Sequence, residues 1–470
     1  MNDHIEKTAG SSLSGHIAVM GLGVSGRAAV RYLVSCGVRV SVSEARSISQ
    51  MSAADLAFLA EQGVACEYGG HTLTFLRQAD QVLVSPGIPQ ELEVLRQLRD
   101  AGIPVRGELA MAAPLIKKPV VAITGTNGKT TVTALIGELL QGAGKKVFVG
   151  GNIGTSFFDY LLSPEGVDVL VLELSSFQLE AAGEFKADVA LLLNVTPDHL
   201  DRHGNMAGYA AAKMKIFAGQ GENDTAIISG DDPLCRELAV GLGKQRLLFF
   251  GHGEICQARV DQHAVVLEWQ GEREQYDLAG TMLDSATGAL NSAAAILAAR
   301  TMGCAPAIIA QGLAAFQVAA HRMALVGEKG GVVYYDDSKA TNTGAVISGL
   351  ATFSGNVILI AGGRDKGDDY SLLRESVGQK VRVLILIGEA QDLIAQAVEG
   401  LTDIRRAGSM EEAVALAASL AGPGDTVLLS PACASFDMFK SYGHRGQVFT
   451  DAVRLVIEGS GVEGRSGGAL

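Results

Sequence analysis

The chain is poor in cysteine, in basic charge and in long apolar runs, and each shortage narrows what it does. Its six cysteines (Cys36, Cys66, Cys235, Cys256, Cys304 and Cys433) are scattered, and no two form a C-x-x-C pair. That spacing offers no cysteine metal site and no disulfide framework, and it fits a reduced compartment. Lysine and arginine number 38 against 51 aspartates and glutamates, a net charge of −13. Nucleic-acid binders draw affinity from basic residues that neutralise phosphates, so this balance argues against that class. No apolar run approaches the length of a membrane span. The opening Met1-Asn-Asp-His-Ile-Glu-Lys7 is polar and lacks a signal-peptide pattern. We therefore expect a cytoplasmic protein with no membrane insertion. Short-period repeats and long low-complexity tracts are absent too, and the Gly/Ser-rich tail from Gly459 to Leu470 is expected to fray.

What is present is an ordinary globular composition, 48% apolar and 19% charged over 470 residues, enough for two to four domains. The most informative segment is Lys118-Pro-Val-Val-Ala-Ile-Thr-Gly-Thr-Asn-Gly-Lys-Thr-Thr-Val132. Val120 to Ile123 reads as a buried strand. It breaks into a glycine turn at Gly125 and Gly128. A helix follows, because Val132, Leu135, Ile136, Leu139 and Leu140 recur on one helical face. Strand, glycine turn, Lys-Thr and helix is the layout of a phosphate cradle: N–H groups face an anion, Lys129 faces the β/γ-phosphates and the Thr130 hydroxyl can ligate Mg²⁺. Only Thr126 and Asn127 separate the two glycines, fewer than in the general pattern. An ordinary strand-to-helix turn is the alternative, and the segment alone does not separate an ATPase, a GTPase and a ligase.

Three α/β blocks follow one another. The first, 1–108, holds His16-Ile-Ala-Val-Met-Gly-Leu-Gly-Val-Ser-Gly-Arg27, a strand turning into a helix through Gly21, Gly23 and Gly26. Further strands read at Val38–Ser43, ending at Glu44, and at Val82–Ser85, ending at Pro86-Gly87. The second block, 109–316, holds the cradle and the apolar runs Val167–Leu172 and Val189–Leu193. The third, 317–470, shows strands at Val332–Tyr335, Val357–Ile360, Val383–Ile387 and Thr426–Leu429. Such alternation predicts mostly parallel sheets covered by helices on both faces, with ligands beyond the C-terminal strand ends.

Other constellations fall at those ends. The Gly21-x-Gly23-x-x-Gly26 turn with Glu44 reads as a dinucleotide fingerprint, or equally as a seat for any nucleotide diphosphate. Glu173, ending a strand in Leu172-Glu-Leu-Ser-Ser-Phe-Gln-Leu179, is placed to hold Mg²⁺; Ser175 and Ser176 there are also helix-cap candidates. Asn194-Val-Thr-Pro-Asp-His-Leu-Asp-Arg-His203 offers Asp198, His199 and Asp201 for metal or proton transfer. Lys213, in a helical stretch, reads from spacing alone as a solvated lysine. In the third block His321-Arg322, Tyr335-Asp-Asp-Ser-Lys-Ala-Thr-Asn342, Gly362-Gly-Arg-Asp-Lys366 and Ser430-Pro-Ala-Cys-Ala-Ser-Phe-Asp437 suit an anionic second substrate.

With these residues in view, nearly the whole chain resembles the Mur ligases. Gly125-Thr-Asn-Gly-Lys-Thr-Thr131 resembles their shortened phosphate loop, shared with folylpolyglutamate synthases. Asp337-Ser-Lys-Ala-Thr-Asn342 and Leu429-Ser-Pro-Ala-Cys-Ala-Ser-Phe-Asp-Met-Phe-Lys440 resemble the branch that adds D-glutamate. The resemblance implies three domains: a Rossmann-like N-terminal domain (1–108), a central P-loop mononucleotide-binding domain (109–316) and a Rossmann-like C-terminal domain (317–470). It implies ATP-dependent joining of D-glutamate to UDP-N-acetylmuramoyl-L-alanine through an acyl phosphate, in a monomer using ATP and two Mg²⁺ ions. It implies that Lys129, Glu173, His199 and Lys213 are catalytic. Thr130 and Glu173 would hold one Mg²⁺; His199 and Lys213, the latter as a carbamate, would serve the other.

ATP would meet Gly125, Thr126, Asn127, Gly128, Lys129, Thr130, Thr131, Asn291, Arg322 and Asp337. The UDP-linked substrate would meet Val24, Ser25, Glu44, Ala45, Arg46, Ser85, Pro86, Gly87, Asn152 and His199. D-Glutamate would meet Lys339, Thr341, Lys366, Ser435, Phe436 and Tyr442. Sites spread over three domains imply an open form and a closed form. Two departures stand out: of the family's Gly-x-His-Asn-x-x-Asn segment only Asn291 remains, and Tyr442 stands where a Phe is common. The rival readings are an NAD-dependent oxidoreductase, which leaves the cradle unexplained, a GTPase, which would need the absent Asn-Lys-x-Asp motif, and a folylpolyglutamate synthase, which would not need the N-terminal block.

Overall fold

A computed structural model of the chain describes residues 13–152, 155–317 and 321–459. The opening heptapeptide, Gly154 and nearly all of the Gly/Ser-rich tail lie outside the described residues, and of Asp201 only the backbone is described. These residues form two compact units, one of 13–152, 155–195, 207–281 and 289–316, the other of 196–206, 282–288, 317 and 321–459.

The first unit carries two sheets. The strand His16–Met20 is buried along its length and lies at the centre of a five-stranded parallel sheet. Arg39–Glu44 and then Ala65–Tyr68 lie on one side of it; Gln81–Val84 and then Val105–Gly107 lie on the other. The second sheet has nine strands, with Val120–Thr124 between Val169–Glu173 and Val189–Leu192, all parallel. Val147–Gly151 closes one edge. Thr225–Ser229, Arg246–Gly251 and Ala258–Asp261 extend the other. The far edge, Ala264–Trp269 and Glu272–Asp277, is antiparallel. That meander departs from the expected parallel order. The inner strand of the pair is mostly buried, while the outermost strand carries Glu272, Arg273 and Glu274 in succession with only Tyr276 buried, as suits an edge in water.

The second unit holds a six-stranded sheet in the order Ala324–Lys329, Val332–Asp336, Thr426–Leu429, Val357–Gly362, Val381–Ile387 and Asp403–Arg406, antiparallel only at its first pair. Apolar side chains of alternating parity pack into two cores, one on each face of the sheet. Leu359, Ala361 and Leu384 point one way; Ile358, Ile360 and Ile385 point the other. Burial on both faces explains why these strands read as continuous apolar runs. The strands read from sequence are all present, within two residues at each end. The five apolar residues that announced a helix after the cradle lie fully buried along Lys129–Gly142.

Candidate functional site

The cradle forms where the central strand Val120–Thr124 ends. Gly128 caps the following helix with φ +85° and offers no side chain to its first turn. A Cβ at Gly128 would lie 2.5 Å from Asn291 Oδ1, so glycine is required there on both counts. Lys129 arches back over the loop, its Nζ donating to the carbonyls of Gly125 (2.8 Å) and Thr126 (2.7 Å). Thr130 is half-buried at the helix start, and Thr131 is buried. The loop is held from behind by Asn194, whose role the sequence did not disclose. Its Oδ1 accepts from the N–H groups of Thr126 (3.1 Å) and Asn127 (2.8 Å), and its Nδ2 donates to the Asn127 carbonyl (3.1 Å).

Lys213 is 1% exposed, so its reading as a solvated lysine is wrong. It lies on the helix Met206–Met214, which packs into the unit, with its ammonium 4.3 Å from the centre of the Tyr209 ring. Its Nζ donates to the Gly125 carbonyl at 2.7 Å, the oxygen that also accepts from Lys129. Two lysine side chains thus converge on one carbonyl at the base of the cradle.

Glu173 ends the neighbouring strand, in register with Ile123. The side chain is buried. Oε1 accepts from Asn152 Nδ2 at 2.8 Å, and Oε2 is buried with no hydrogen-bond partner. An orphaned carboxylate oxygen beside the phosphate loop fits a hard cation held jointly with phosphate oxygens. Among the described residues no group of three or more His, Cys, Asp or Glu is placed to hold a metal ion without such help. The competing helix-cap role belongs to Ser175, which caps Ser176–Glu180 in a capping box with Gln178.

In the same unit a cavity of about 600 Å³ is lined by Gly21, Leu22, Gly23, Val24, Ser25, Glu44, Arg46, Ser85, Pro86, Gly87, Gly151, Asn152, Ser156 and Gln178. It gathers most of the predicted UDP-substrate residues; Ala45 adjoins it as an exposed neighbour of Glu44 and Arg46. The turn is tight because a Cβ at Gly26 would fall 2.0 Å from the Gly21 carbonyl oxygen. Ser85 Oγ donates to that same oxygen at 3.1 Å. Glu44 is saturated: it accepts from Leu22 N–H (2.9 Å), Arg46 N–H (3.0 Å), and Arg46 Nε and Nη2 (3.1 Å each). Burial alone would raise its pKa, but the Arg46 hydrogen bonds outweigh it and hold the carboxyl down at about 2. A carboxylate so engaged braces the turn at the wall of the cavity. Ser156, Gln178 and the buried Glu108 were not foreseen. Glu108 Oε1 accepts from Ser156 Oγ (2.5 Å) and Phe157 N–H (3.2 Å), and burial pushes its pKa up.

In the second unit the remaining residues gather at the C-terminal ends of Val332–Asp336, Thr426–Leu429 and Val357–Gly362. Asp337 is buried, accepting from Ser430 Oγ (2.9 Å) and Met323 N–H (3.3 Å). Burial raises its pKa to about 7 against the opposing pull of Arg322. The Arg322 Nε is itself buried with no hydrogen-bond partner. The Lys339 ammonium lies 5.4 Å from the centre of the half-exposed Tyr442 ring. Thr341 is half-buried, Ser435 is buried and Phe436 is 66% exposed. Lys366 Nζ lies 2.6 Å from Asp198 Oδ1, and Asn342 Nδ2 donates to Asp198 Oδ2 at 3.1 Å. His199, at φ +54°, begins the turn Leu200–His203, and its Nε2 lies 3.6 Å from Asp198 Oδ2.

Comparison with known proteins gives this geometry its context. The Mur ligase MurD-like N-terminal domain matches residues 15–107, the Mur ligase middle domain 123–298, and the Mur ligase glutamate ligase domain 321–433. The UDP-N-acetylmuramoylalanine–D-glutamate ligase of Desulfotalea psychrophila is 55% identical over 92% of this chain and 94% of its own. That of Syntrophotalea carbinolica is 41% identical over 95% and 98%. Among solved structures, the UDP-N-acetylmuramate-alanine ligase MurC of Thermotoga maritima superposes with a TM-score of 0.60 at 17% identity, covering 94% of this chain and 99% of that one. A pseudomurein peptide ligase of Methanothermus fervidus gives 0.60 at 20%, with the same coverage. The three-domain α/β fold is common to them. With all three domain types matched and such relatives spanning nearly its whole length, the chain belongs to the Mur ligase family, among the UDP-N-acetylmuramoylalanine–D-glutamate ligases.

Proposed function

We propose the following division of work among the residues of an ATP-dependent ligase that joins D-glutamate to UDP-N-acetylmuramoyl-L-alanine. The activity follows from the relatives of that name: the chain is a ligase of peptidoglycan synthesis and uses ATP. The observation that carries the residue assignment is the cradle itself, with Lys129 over the loop and the orphaned Glu173 oxygen beside it.

Gly125 to Thr131 seat the triphosphate on the N-terminus of the helix Lys129–Gly142, with Asn291 against Gly128. Arg322 and Asp337 contribute to ATP binding, the orphaned Arg322 Nε suiting an anionic acceptor. The cavity around Gly21 and Ser85 takes the UDP moiety. Asn152 lies both on that cavity and on Glu173, a position suited to the muramoyl end of the substrate. The substrate carboxylate attacks the γ-phosphorus, ADP leaves, and the acyl phosphate receives the amine of D-glutamate with loss of phosphate. Positioning and charge neutralisation do most of this work, with Lys129 on the moving phosphoryl group. Lys339, Thr341, Lys366, Ser435, Phe436 and Tyr442 frame D-glutamate.

Thr130 and Glu173 fit one Mg²⁺, which when bound neutralises phosphate charge. His199 and Lys213 are assigned to a second ion. An ammonium cannot ligate a cation, so Lys213 would lose one proton to become a free amine, add to CO₂ through that nitrogen, and lose a second proton to stand as a carbamate anion. The crowding of two lysines on the Gly125 carbonyl supports that exchange of a buried cation for an anion. The protein is assigned as a cytoplasmic monomer; a sedimentation mass of twice the chain would refute the latter.

The test is phosphate release from ATP with purified protein, Mg²⁺ and UDP-N-acetylmuramoyl-L-alanine, comparing D-glutamate with L-glutamate and other amino acids. Turnover with D-glutamate alone is expected. Turnover with a folate substrate instead would overturn the assignment.

A further inference from the structure

Arg445 stands first among the largest fully buried side chains of the described residues, with no exposed surface. It sits in the first turn of the helix Tyr442–Glu458, in the second unit. Its guanidinium spends its donors almost entirely on main chain. Nη2 donates to the Ser338 carbonyl (2.9 Å) and Nε to Ser338 Oγ (3.0 Å). Nη1 donates to the carbonyls of Cys433 (3.1 Å) and Ala434 (3.4 Å). Ser338 Oγ in turn donates a hydrogen bond to the Tyr442 carbonyl at 2.8 Å. Ala434 exchanges two backbone hydrogen bonds with Arg364, at 2.9 and 3.0 Å.

One planar fork therefore ties the loops after two strands to the start of a helix, and the Ala434–Arg364 backbone pair links a third strand end to them. Each tie lands within two residues of a group assigned to D-glutamate. Lys339 follows Ser338, Ser435 follows Ala434, Lys366 lies two beyond Arg364, and Tyr442 is itself held. Desolvating a guanidinium is costly, and an apolar residue would fill this core position without that penalty. The acids near it, Asp336 and Asp437, are partly engaged elsewhere: Asp336 with His321 Nδ1 (2.6 Å) and Ser338 N–H (2.9 Å), Asp437 with Glu389 N–H (3.0 Å). Burial lowers the pKa of Arg445 to about 10, which leaves it charged at neutral pH.

We propose that Arg445 is a positioning residue for the amino-acid pocket: it sets the spacing of the 337–342 and 430–436 loops, and so the placement of Lys339, Ser435 and Tyr442 around a dicarboxylic amino acid. This rests on the reading of those residues as the D-glutamate pocket. Arg445 touches no substrate, because it has no exposed surface.

The test is Arg445→Lys in the full-length protein, with Arg445→Met as the charge-free partner. Lysine keeps the charge but cannot span Ser338, Cys433 and Ala434 with one rigid fork. We expect the KM for D-glutamate to rise about tenfold or more in Arg445→Lys, with affinity for the UDP-linked substrate within about twofold of wild type. Lys339→Ala should then lose less in the Arg445→Lys background than in wild type, since the lysine is already misplaced. Should Arg445→Met fail to fold, the lysine variant and the double mutant carry the test. A lowered melting temperature with unchanged KM for D-glutamate, or fully additive losses, would overturn the proposal and leave Arg445 a structural residue. Wild-type protein showing no D-glutamate-dependent turnover would overturn the pocket reading itself, and that control separates the two failures.

Discussion

Asn194 is the sharpest place to test whether the cradle is pre-formed. Its side chain makes three hydrogen bonds to the loop, to Thr126 N–H, Asn127 N–H and the Asn127 carbonyl. Truncation to alanine removes all three. The Thr126 N–H keeps a second acceptor, the Asn194 main-chain carbonyl at 3.0 Å, which the substitution leaves in place. About two hydrogen bonds are therefore lost outright, and at ~1 kcal/mol each the loop is loosened by ~2 kcal/mol. If nucleotide binds only the ordered loop, that energy is drawn from binding, and ATP affinity falls about 30-fold. The sheet below is untouched, so the melting temperature should fall by only a few degrees.

Asn194→Asp separates geometry from charge. The carboxylate still accepts from both N–H groups but faces the Asn127 carbonyl and the incoming triphosphate with negative charge, so it should bind ATP more weakly than the alanine variant. Titration of a fluorescent ATP analogue, with calorimetric melting alongside, reads both quantities. A folded Asn194→Ala protein that binds ATP within about threefold of wild type would refute the reasoning, since the loop would then owe its shape to the glycines alone.

Three further outcomes follow from the site. Glu173→Gln keeps an acceptor for Asn152 but removes the anionic oxygen, so the Mg²⁺ concentration for half-maximal turnover should rise about tenfold or more; an unchanged Mg²⁺ titration would remove Glu173 from the metal site. Lys213 should incorporate ¹³CO₂ as a carbamate visible by NMR, and Lys213→Ala should be dead without added short carboxylates; a wild-type spectrum lacking that signal at saturating bicarbonate would end the carbamate assignment. Asp337 has a folded pKa raised to about 7 from 3.8. Between those values the folded state keeps a proton that the unfolded chain gives up, so this group's contribution to stability is greatest at acid pH and is lost as pH rises towards 7. Asp337→Asn should flatten that part of the stability profile in denaturant titrations; an identical slope in both proteins would show that the buried carboxyl does not titrate there. Asp368, also raised to about 7, leaves a residual slope of the same sign in the variant.

How much of this was legible in the sequence depends on what kind of residue carries the information. The parallel strands announced themselves because burial on both faces demands unbroken apolar runs, and their C-terminal ends could be found by where those runs stop. Lys129, Glu173 and Lys339 were therefore readable as chemistry at strand ends. The edge meander 258–277 was not read, because a half-exposed strand mixes charged and apolar residues and its signal resembles that of a loop. Lys213 and Arg445 were invisible for a deeper reason. Helical periodicity assigns faces by hydrophobicity, so a charged residue on a buried face is scored as solvated. Such a residue is stable inside only if carbonyls or a ligand receive its protons, and those partners are distant in sequence: Gly125 lies 88 positions from Lys213, and Ser338 lies 107 from Arg445. Only the folded arrangement shows the pairing. A buried cation that donates mostly to main-chain carbonyls of substrate loops is more informative than an exposed one at the pocket mouth. The fold tolerates its desolvation, and what that desolvation secures is the geometry of the loops it holds.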